Sequence, residues 1–241
     1  MVEKTENAVD IGSVVVGRAQ RPGTEPPCAD GADVQQRGTM VCAAVVDGAG
    51  HHLDVVRYAA LAPAVITHIG VVAGGLAGLM TAGQVATAYD RPPHASAVYA
   101  CMAPGEAASV HWIGDCRAYG WDGALLTQWS TDQTMGQWLR INGGSAVELD
   151  AELHDNWARL GLAQASAATC RQVQIPEEVR LVLLVSDGVS DQVDAETWTA
   201  LCHTHQDAPQ DLADALVAAA EEDGEGYRDD CTVIALLRPS A

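Results

Sequence analysis

Positive charge is what this sequence has least of: thirteen lysines and arginines stand against thirty-two aspartates and glutamates, a formal net charge of −19. Such a field repels the phosphates of nucleic acids and anionic membrane surfaces, so neither is expected as a partner. It equally opposes a phosphorylated substrate, and a site for one needs a local reversal of sign, which a bound cation supplies most simply. Metal-binding cysteine pairs are missing too. The seven cysteines are odd in number and dispersed, with no C-x-x-C pair, which argues against a zinc site of that type and fits reduced thiols in a cytoplasm. Met1 to Asn7 lacks the apolar core of a signal peptide, and the first ten residues are expected to be flexible.

Charge of either sign is absent from Tyr58 to Tyr89, a stretch long enough to cross a bilayer core of about 30 Å. Pro63, Thr67, His68, Thr81, Gln84 and Thr87 interrupt it, alanine and glycine dominate it, and no basic clusters flank it. It reads as buried helix, one or two in number, rather than a membrane span. No internal repeat or low-complexity tract is present, and Arg21 to Asp33, with three prolines and two glycines, reads as a loop inside a single domain spanning residues 1–241.

What is present is a recurring strand with an aspartate at one end. Thr39 to Val46 is an apolar, valine-rich run stopping at Asp47-Gly48-Ala49-Gly50. Ala108 to Ile113 ends at Gly114-Asp115, Val179 to Val185 ends at Ser186-Asp187-Gly188, and Cys231 to Leu237 begins after Asp229-Asp230. Trp121-Asp122-Gly123 marks a hairpin within Gly120 to Leu126. Helical periodicity appears at Pro209 to Glu222, with a further helix at Asp194 to His203. Strands that follow one another without intervening helices predict an α+β protein with antiparallel sheets.

One Asp-Gly after a strand is an ordinary turn. Several are a different matter if the sheet gathers their ends, because Asp47, Asp115, Asp187, Asp191 and Asp229 could not all stay ionised together without a cation. Oxygen donors with neither a cysteine cluster nor a spaced histidine pair select hard ions, Mg²⁺ or Mn²⁺.

Four segments in order, Asp47-Gly48-Ala49-Gly50-His51-His52, Gly114-Asp115-Cys116-Arg117-Ala118-Tyr119, Ser186-Asp187-Gly188-Val189-Ser190-Asp191 and Arg228-Asp229-Asp230-Cys231-Thr232-Val233, resemble the protein phosphatase 2C-like (PPM) family. Leu126-Thr127 with Thr131-Asp132-Gln133-Thr134, and Arg159-Leu160-Gly161, are weaker echoes, and the resemblance runs from about Asp30 to the C-terminus. It implies a four-layer αββα sandwich of two mainly antiparallel sheets flanked by helix pairs. It also implies that Asp47 bridges two Mn²⁺ or Mg²⁺ ions, with Asp187 and Asp229 on the first and the Gly48 carbonyl on the second, while Asp115 and Asp191 match a third, weaker position.

The implied activity is hydrolysis of phosphate monoesters, phosphoserine and phosphothreonine in proteins, by water activated at the dinuclear site. Small phosphorylated metabolites stay open as substrates, and a monomer is expected. His51 and His52 are the candidate acids for the leaving oxygen. The family's first motif, an arginine followed by Asn-Glu-Asp, is altered. Cys28-Ala29-Asp30 or Gly31-Ala32-Asp33 takes its place, leaving Asp30 or Asp33 as the substitute ligand and Arg21 or Arg18 as the phosphate-binding arginine. His51 stands at the second glycine of the family's Asp-Gly-x-Gly-Gly. A catalytically weak phosphatase-like domain that binds and regulates a partner is the alternative that this alteration supports.

Overall fold

The computed structural model describes residues 14–143, 151–155 and 157–239; the expectation for the first ten residues lies outside these. The strands are β1 (Val15–Arg21), β2 (Asp30–Arg37), β3 (Met40–Gly48), β4 (Ala95–Met102), β5 (Ala108–Ile113), β6 (Arg117–Trp121), β7 (Leu126–Gln128), β8 (Arg171–Ile175), β9 (Leu181–Val185) and β10 (Cys231–Leu237). The helices are α1 (Leu53–Ala73), α2 (Gly75–Ala86), α3 (Met135–Asn142), a single turn α4 (Asp187–Ser190), α5 (Ala195–His205) and α6 (Pro209–Ala219).

The strands form two antiparallel five-stranded sheets, ordered β1-β10-β9-β6-β7 and β2-β3-β4-β5-β8. Strand side chains alternate between faces, and here both faces of each sheet are covered. Val41, Ala43 and Val45 of β3 meet Val182 and Leu184 of β9 and Ile234 and Leu236 of β10 between the sheets. Cys42, Ala44 and Val46 point outward onto Tyr58, Ala59, Ala62 and Ile66 of α1 and Leu79 and Ala82 of α2. On the far side, Leu181, Leu183 and Val185, with Val233 and Ala235, pack against Trp198 of α5 and Leu212 and Leu216 of α6. Two-sided burial is why these strands read as unbroken apolar runs although the sheets are antiparallel. The architecture is the α+β four-layer sandwich.

The charge-free stretch forms both helices of one outer layer. Its first, α1, is the one helix among the described residues long and apolar enough to cross a membrane; here Val55, Tyr58, Ala59, Ala62, Ile66 and Gly70 are buried. Pro63 inside it has no N–H to offer the carbonyl four residues back, that of Ala59. Gly31 of β2 lies against that freed carbonyl: a Cβ there would stand 2.1 Å from the Ala59 oxygen and 3.1 Å from Pro63 Cγ. The helix and the sheet edge thus approach at backbone distance.

Arg21 to Asp33 is not a single loop, which corrects the sequence reading. Arg21 closes β1, Asp30 opens β2, and only residues 22–29 connect them. Asp30–Arg37 is poor in strand-forming residues, and its extended state comes from full pairing with β3, from Asp30↔Asp47 to Arg37↔Met40. Strands β5 and β10 match the expected spans, while β3 extends to Gly48 and so carries Asp47 within the ladder.

Gly31→Ala is expected to destabilise the protein by about 1–3 kcal/mol through overpacking against α1, read as a lowered denaturant midpoint with unchanged slope.

Candidate metal centre

Asp47 sits one residue from the end of β3, opposite Asp30 of β2 on one side and Ser96 of β4 on the other. Asp115 occupies the connection from β5 to β6, where Gly114 has φ 90° and a Cβ would lie 2.1 Å from Ser96 Oγ. That close approach lets the Ser96 hydroxyl donate to Asp115 Oδ1 at 2.5 Å and accept from the Asp115 N–H at 3.2 Å. Asp187 is the first residue of α4, directly after β9 and Ser186. Asp229 precedes β10, its N–H donating to Gln192 Oε1 at 3.2 Å.

The sandwich brings these ends to one side. Asp47, Asp115 and Asp187 each offer a carboxylate oxygen, and the three oxygens lie within 4.8 Å of one another. They line a cleft of about 830 Å³ shared with Gly48, His51, His94, Ser96, Asp191 and Asp229. Burial, followed by the neighbouring charges of Asp30 for Asp47 and of Asp47 for Asp187, holds both carboxyls well above the usual carboxylate range. Burial also raises Asp115, against its hydrogen bond from Ser96. Among the described residues no lysine or arginine forms an ion pair with these three. A hard divalent cation fits this donor set: it neutralises the repulsion, and every available ligand is oxygen.

Asp30 lies behind Asp47 rather than in the cleft. It is buried between the sheets, accepting from Thr232 Oγ1 at 2.7 Å, and burial raises its pKa with Asp230 and Asp187 adding to the effect. Asp33 is on the opposite face of β2, where Thr67 of α1 and Gln35 donate to it. Three residues along a strand reverse the side, so Asp33 is directed away from the cluster, contrary to the expectation that it could be a ligand.

Arg21 is likewise not at the cleft. Its Nη1 donates to the carbonyls of Val217, Ala218 and Ala220 at 3.1, 3.2 and 3.1 Å, satisfying the orphaned acceptors at the end of α6. His52 is the N-cap of α1, its ring accepting from the Asp54 N–H at 3.4 Å, and is exposed. His51 does line the cleft, with Nδ1 3.0 Å from the Pro27 carbonyl. Its backbone is not left-handed; the positive φ of that turn falls on Gly50, at 86°. Asp191 reaches the cleft too, but is ion-paired to Arg117.

Several functional neighbours escaped the sequence reading. Ser96 had no signal, since a lone serine in a strand marks nothing. Asp230 stood in a quoted motif, yet its role is structural: it accepts from the backbone N–H groups of Gly23 at 2.6 Å and Ala29 at 2.7 Å, pinning the 22–29 connection beside the site. Arg117 is bidentate on Asp132, with Nη2 at 2.8 Å, and Nη1 also donates to Ser190 at 2.7 Å. The one arginine or lysine lining the cleft among the described residues is Arg159, whose guanidinium carbon lies 5.4 Å from the centre of the Trp138 ring.

The same layered arrangement occurs in solved structures. The catalytic domain of the serine/threonine protein phosphatase PstP, in complex with two manganese ions, superposes with a TM-score of 0.72 at 20% identity, over 95% of this chain and 100% of that one. This is the PPM phosphatase fold. The PPM Ser-Thr phosphatase MsPP from Mycobacterium smegmatis, in complex with cacodylate, gives 0.71 at 21% identity over 93% and 98%. Serine/threonine phosphatase Stp1 from Staphylococcus aureus gives 0.73 at 14% over 93% and 94%. By sequence, the family model of Stage II sporulation protein E (SpoIIE) matches residues 138–239, the part of the PPM fold carrying Asp187 and Asp229. No curated protein matches at the sequence level.

Carboxyls whose pKa is raised by folding contribute stability that is complete below the unfolded value, about 4, and lost as pH climbs through the folded one. With chelator present, the melting temperature is therefore expected to fall as pH rises above about 4, and Mn²⁺ to restore more of it at higher pH, since protons compete for the ligands at lower pH. Asp187→Asn should flatten both responses in a thermal melt.

Proposed function

We propose that this chain is a metal-dependent phosphatase acting on phosphoserine and phosphothreonine in proteins. The observation that carries the reading is the convergence of Asp47, Asp115 and Asp187 on one cleft, with no lysine or arginine ion-paired to them among the described residues. Asp47, Asp187 and Asp229, with the Gly48 carbonyl, would hold two Mn²⁺ or Mg²⁺ ions. Bound there, divalent cations supply Lewis acidity and make water nucleophilic at neutral pH. A third ion would use Asp115 with Asp191 and would have to compete with Arg117 for Asp191. Retention of these acids favours catalysis over the regulatory alternative, whose support was the altered first motif.

The residues of this chain then have three tasks. Arg159, at the cleft wall, binds the phosphate dianion and adds to the positive charge that bound cations bring to the acidic cleft. Asp30 takes the place next to Asp47 that the altered motif left open, although as a buried neighbour of the cluster, fixed by Thr232. His51 serves the leaving oxygen: with Nδ1–H donated to the Pro27 carbonyl, Nε2, which lies 3.7 Å from Glu25 Oε2, is the nitrogen that exchanges a proton. The free state of all seven cysteines suits a reducing cytoplasm, and we take the active species to be a monomer.

Hydrolysis of a phosphothreonine peptide should require Mn²⁺ or Mg²⁺ and stop with chelator, and Asp47→Asn or Asp187→Asn should lower kcat/KM by about 100-fold or more. A folded, metal-loaded protein without turnover on any phosphomonoester overturns the reading. Arg159→Ala should raise KM about tenfold with Mn²⁺ affinity unchanged. His51→Gln should reduce kcat on the peptide far more than on para-nitrophenyl phosphate, whose leaving group departs without a proton.

A further inference from the structure

A second set of reactive groups lies on the outer face of the β2-β3-β4-β5-β8 sheet, away from the acidic cleft. Cys42 of β3 and Cys101 of β4 are direct partners in the antiparallel register. Directly opposed residues have Cα atoms about 4.5–5.5 Å apart, and a disulfide needs about 4.4–6.8 Å, so the rung already has the span of a cross-link. Both side chains are on the face that meets α1 and α2. The Tyr99 hydroxyl, buried, donates to Cys42 Sγ at 3.0 Å.

An access route exists. Where α1 turns into α2, Gly70, Gly74 and Gly75 leave Tyr99 and Cys101 at the wall of a cavity of about 400 Å³, with their β5 neighbours His111 and Ser109 beside them. Side chains at Gly70 or Gly75 would collide with Tyr99, at 2.5 and 2.4 Å. Cys42 is fully buried beneath, while Cys101 is partly exposed. His111 keeps an Nδ1 without a hydrogen-bond partner among the described residues, and burial holds its ring neutral.

We propose that Cys42 and Cys101 form an oxidisable dithiol that a hydroperoxide, entering through this cavity, converts to an intramolecular disulfide. The Cys42 thiolate takes the Cys101 proton as the Cys101 sulfur attacks the peroxide O–O bond; an S–O bond forms, the O–O bond breaks, and the released alkoxide or, from hydrogen peroxide, hydroxide takes a proton from water. The Cys42 sulfur then attacks the Cys101 sulfenic acid; the S–S bond forms, the S–O bond breaks, and hydroxide takes the Cys42 proton to leave as water. Two thiols are oxidised and one peroxide is reduced. Within the pair Cys101 and Tyr99 pull the Cys42 thiol down while Cys42 and burial push that of Cys101 up, and burial raises Cys28, Cys202 and Cys231 to about 12.

The test is treatment of the folded full-length chain with hydrogen peroxide, followed by thiol counting after denaturation and peptide mapping without reduction. The proposal requires the loss of two thiols, a Cys42–Cys101 linked peptide and recovery of both thiols with dithiothreitol, while the other five cysteines stay free. Cys42→Ser should stop the reaction at oxidised Cys101 with no cross-link, and Tyr99→Phe should slow cross-linking several-fold. Cross-links that avoid this pair, peroxide consumption at Cys28 or Cys170 instead, or intact thiols until the protein unfolds would each overturn it. Mapping of the unsubstituted chain decides the matter even if a variant does not fold, and it is independent of any phosphatase activity.

Discussion

Crowding of like charges at the ends of strands is the constraint to which the rest of the molecule answers. Carboxylates held within 4.8 Å of each other in a half-buried cleft repel one another, and a fold that keeps them there must have a backbone that does not yield. The two-sided burial of both sheets supplies that rigidity: each acid follows from, or lies in, a strand whose side chains are locked between helices on one face and a second sheet on the other. The cost of assembling the acids is offset by the apolar burial in each layer, which contributes about 25 cal/mol per Å². A cation entering such a cleft finds its ligands in position and relieves a repulsion the scaffold already carries.

The same need for balance explains where the few basic groups lie. Arg117 joins Asp132, Ser190 and Asp191 across three segments of chain. Arg228 is buried against the Pro22 carbonyl, and Arg21 closes the end of α6. Arg140, Arg180 and Arg238 likewise hold acids or carbonyls, and Arg159 faces the cleft.

What could be read from the sequence was what depends on local pattern. Strand β10 follows from an apolar run beginning after Asp229-Asp230 and β5 from a moderate alternation ending at Gly114-Asp115, the hairpin between β6 and β7 follows from Asp122, whose side chain accepts from the N–H groups of Ala124 and Leu125, and the helix pair follows from the charge-free stretch. The aspartates at strand ends were legible for the same reason. What depends on distant partners was not. Strand β2 is extended only because β3 pairs with it, so a sequence full of Asp, Gly and Gln hid it. Asp33 and Asp30 differ by three positions and hence by a face, a distinction that requires knowing the segment is a strand. Arg21 could not be placed because its acceptors lie almost two hundred residues away. The fold was thus more readable than the site, whose individual members are chosen by tertiary register.

The clamp of Asp230 on Gly23 and Ala29 bears on how the molecule comes into being. Together with the rungs from Val15↔Leu237 to Arg21↔Cys231, it joins segments from opposite ends of the sequence. Closing so long a loop costs entropy before any contact repays it, and topologies dominated by distant pairings fold slowly. Asp47 and Asp115 belong to a meander that can form from its own neighbours, but β10, which positions Asp229, has its two strand neighbours in β9 and in the far N-terminal β1. A chain emerging in order would hold half of its acidic cleft early and complete it only when its final strand slots between the other two. The chemistry of the site would therefore be withheld until the last part of the chain arrives.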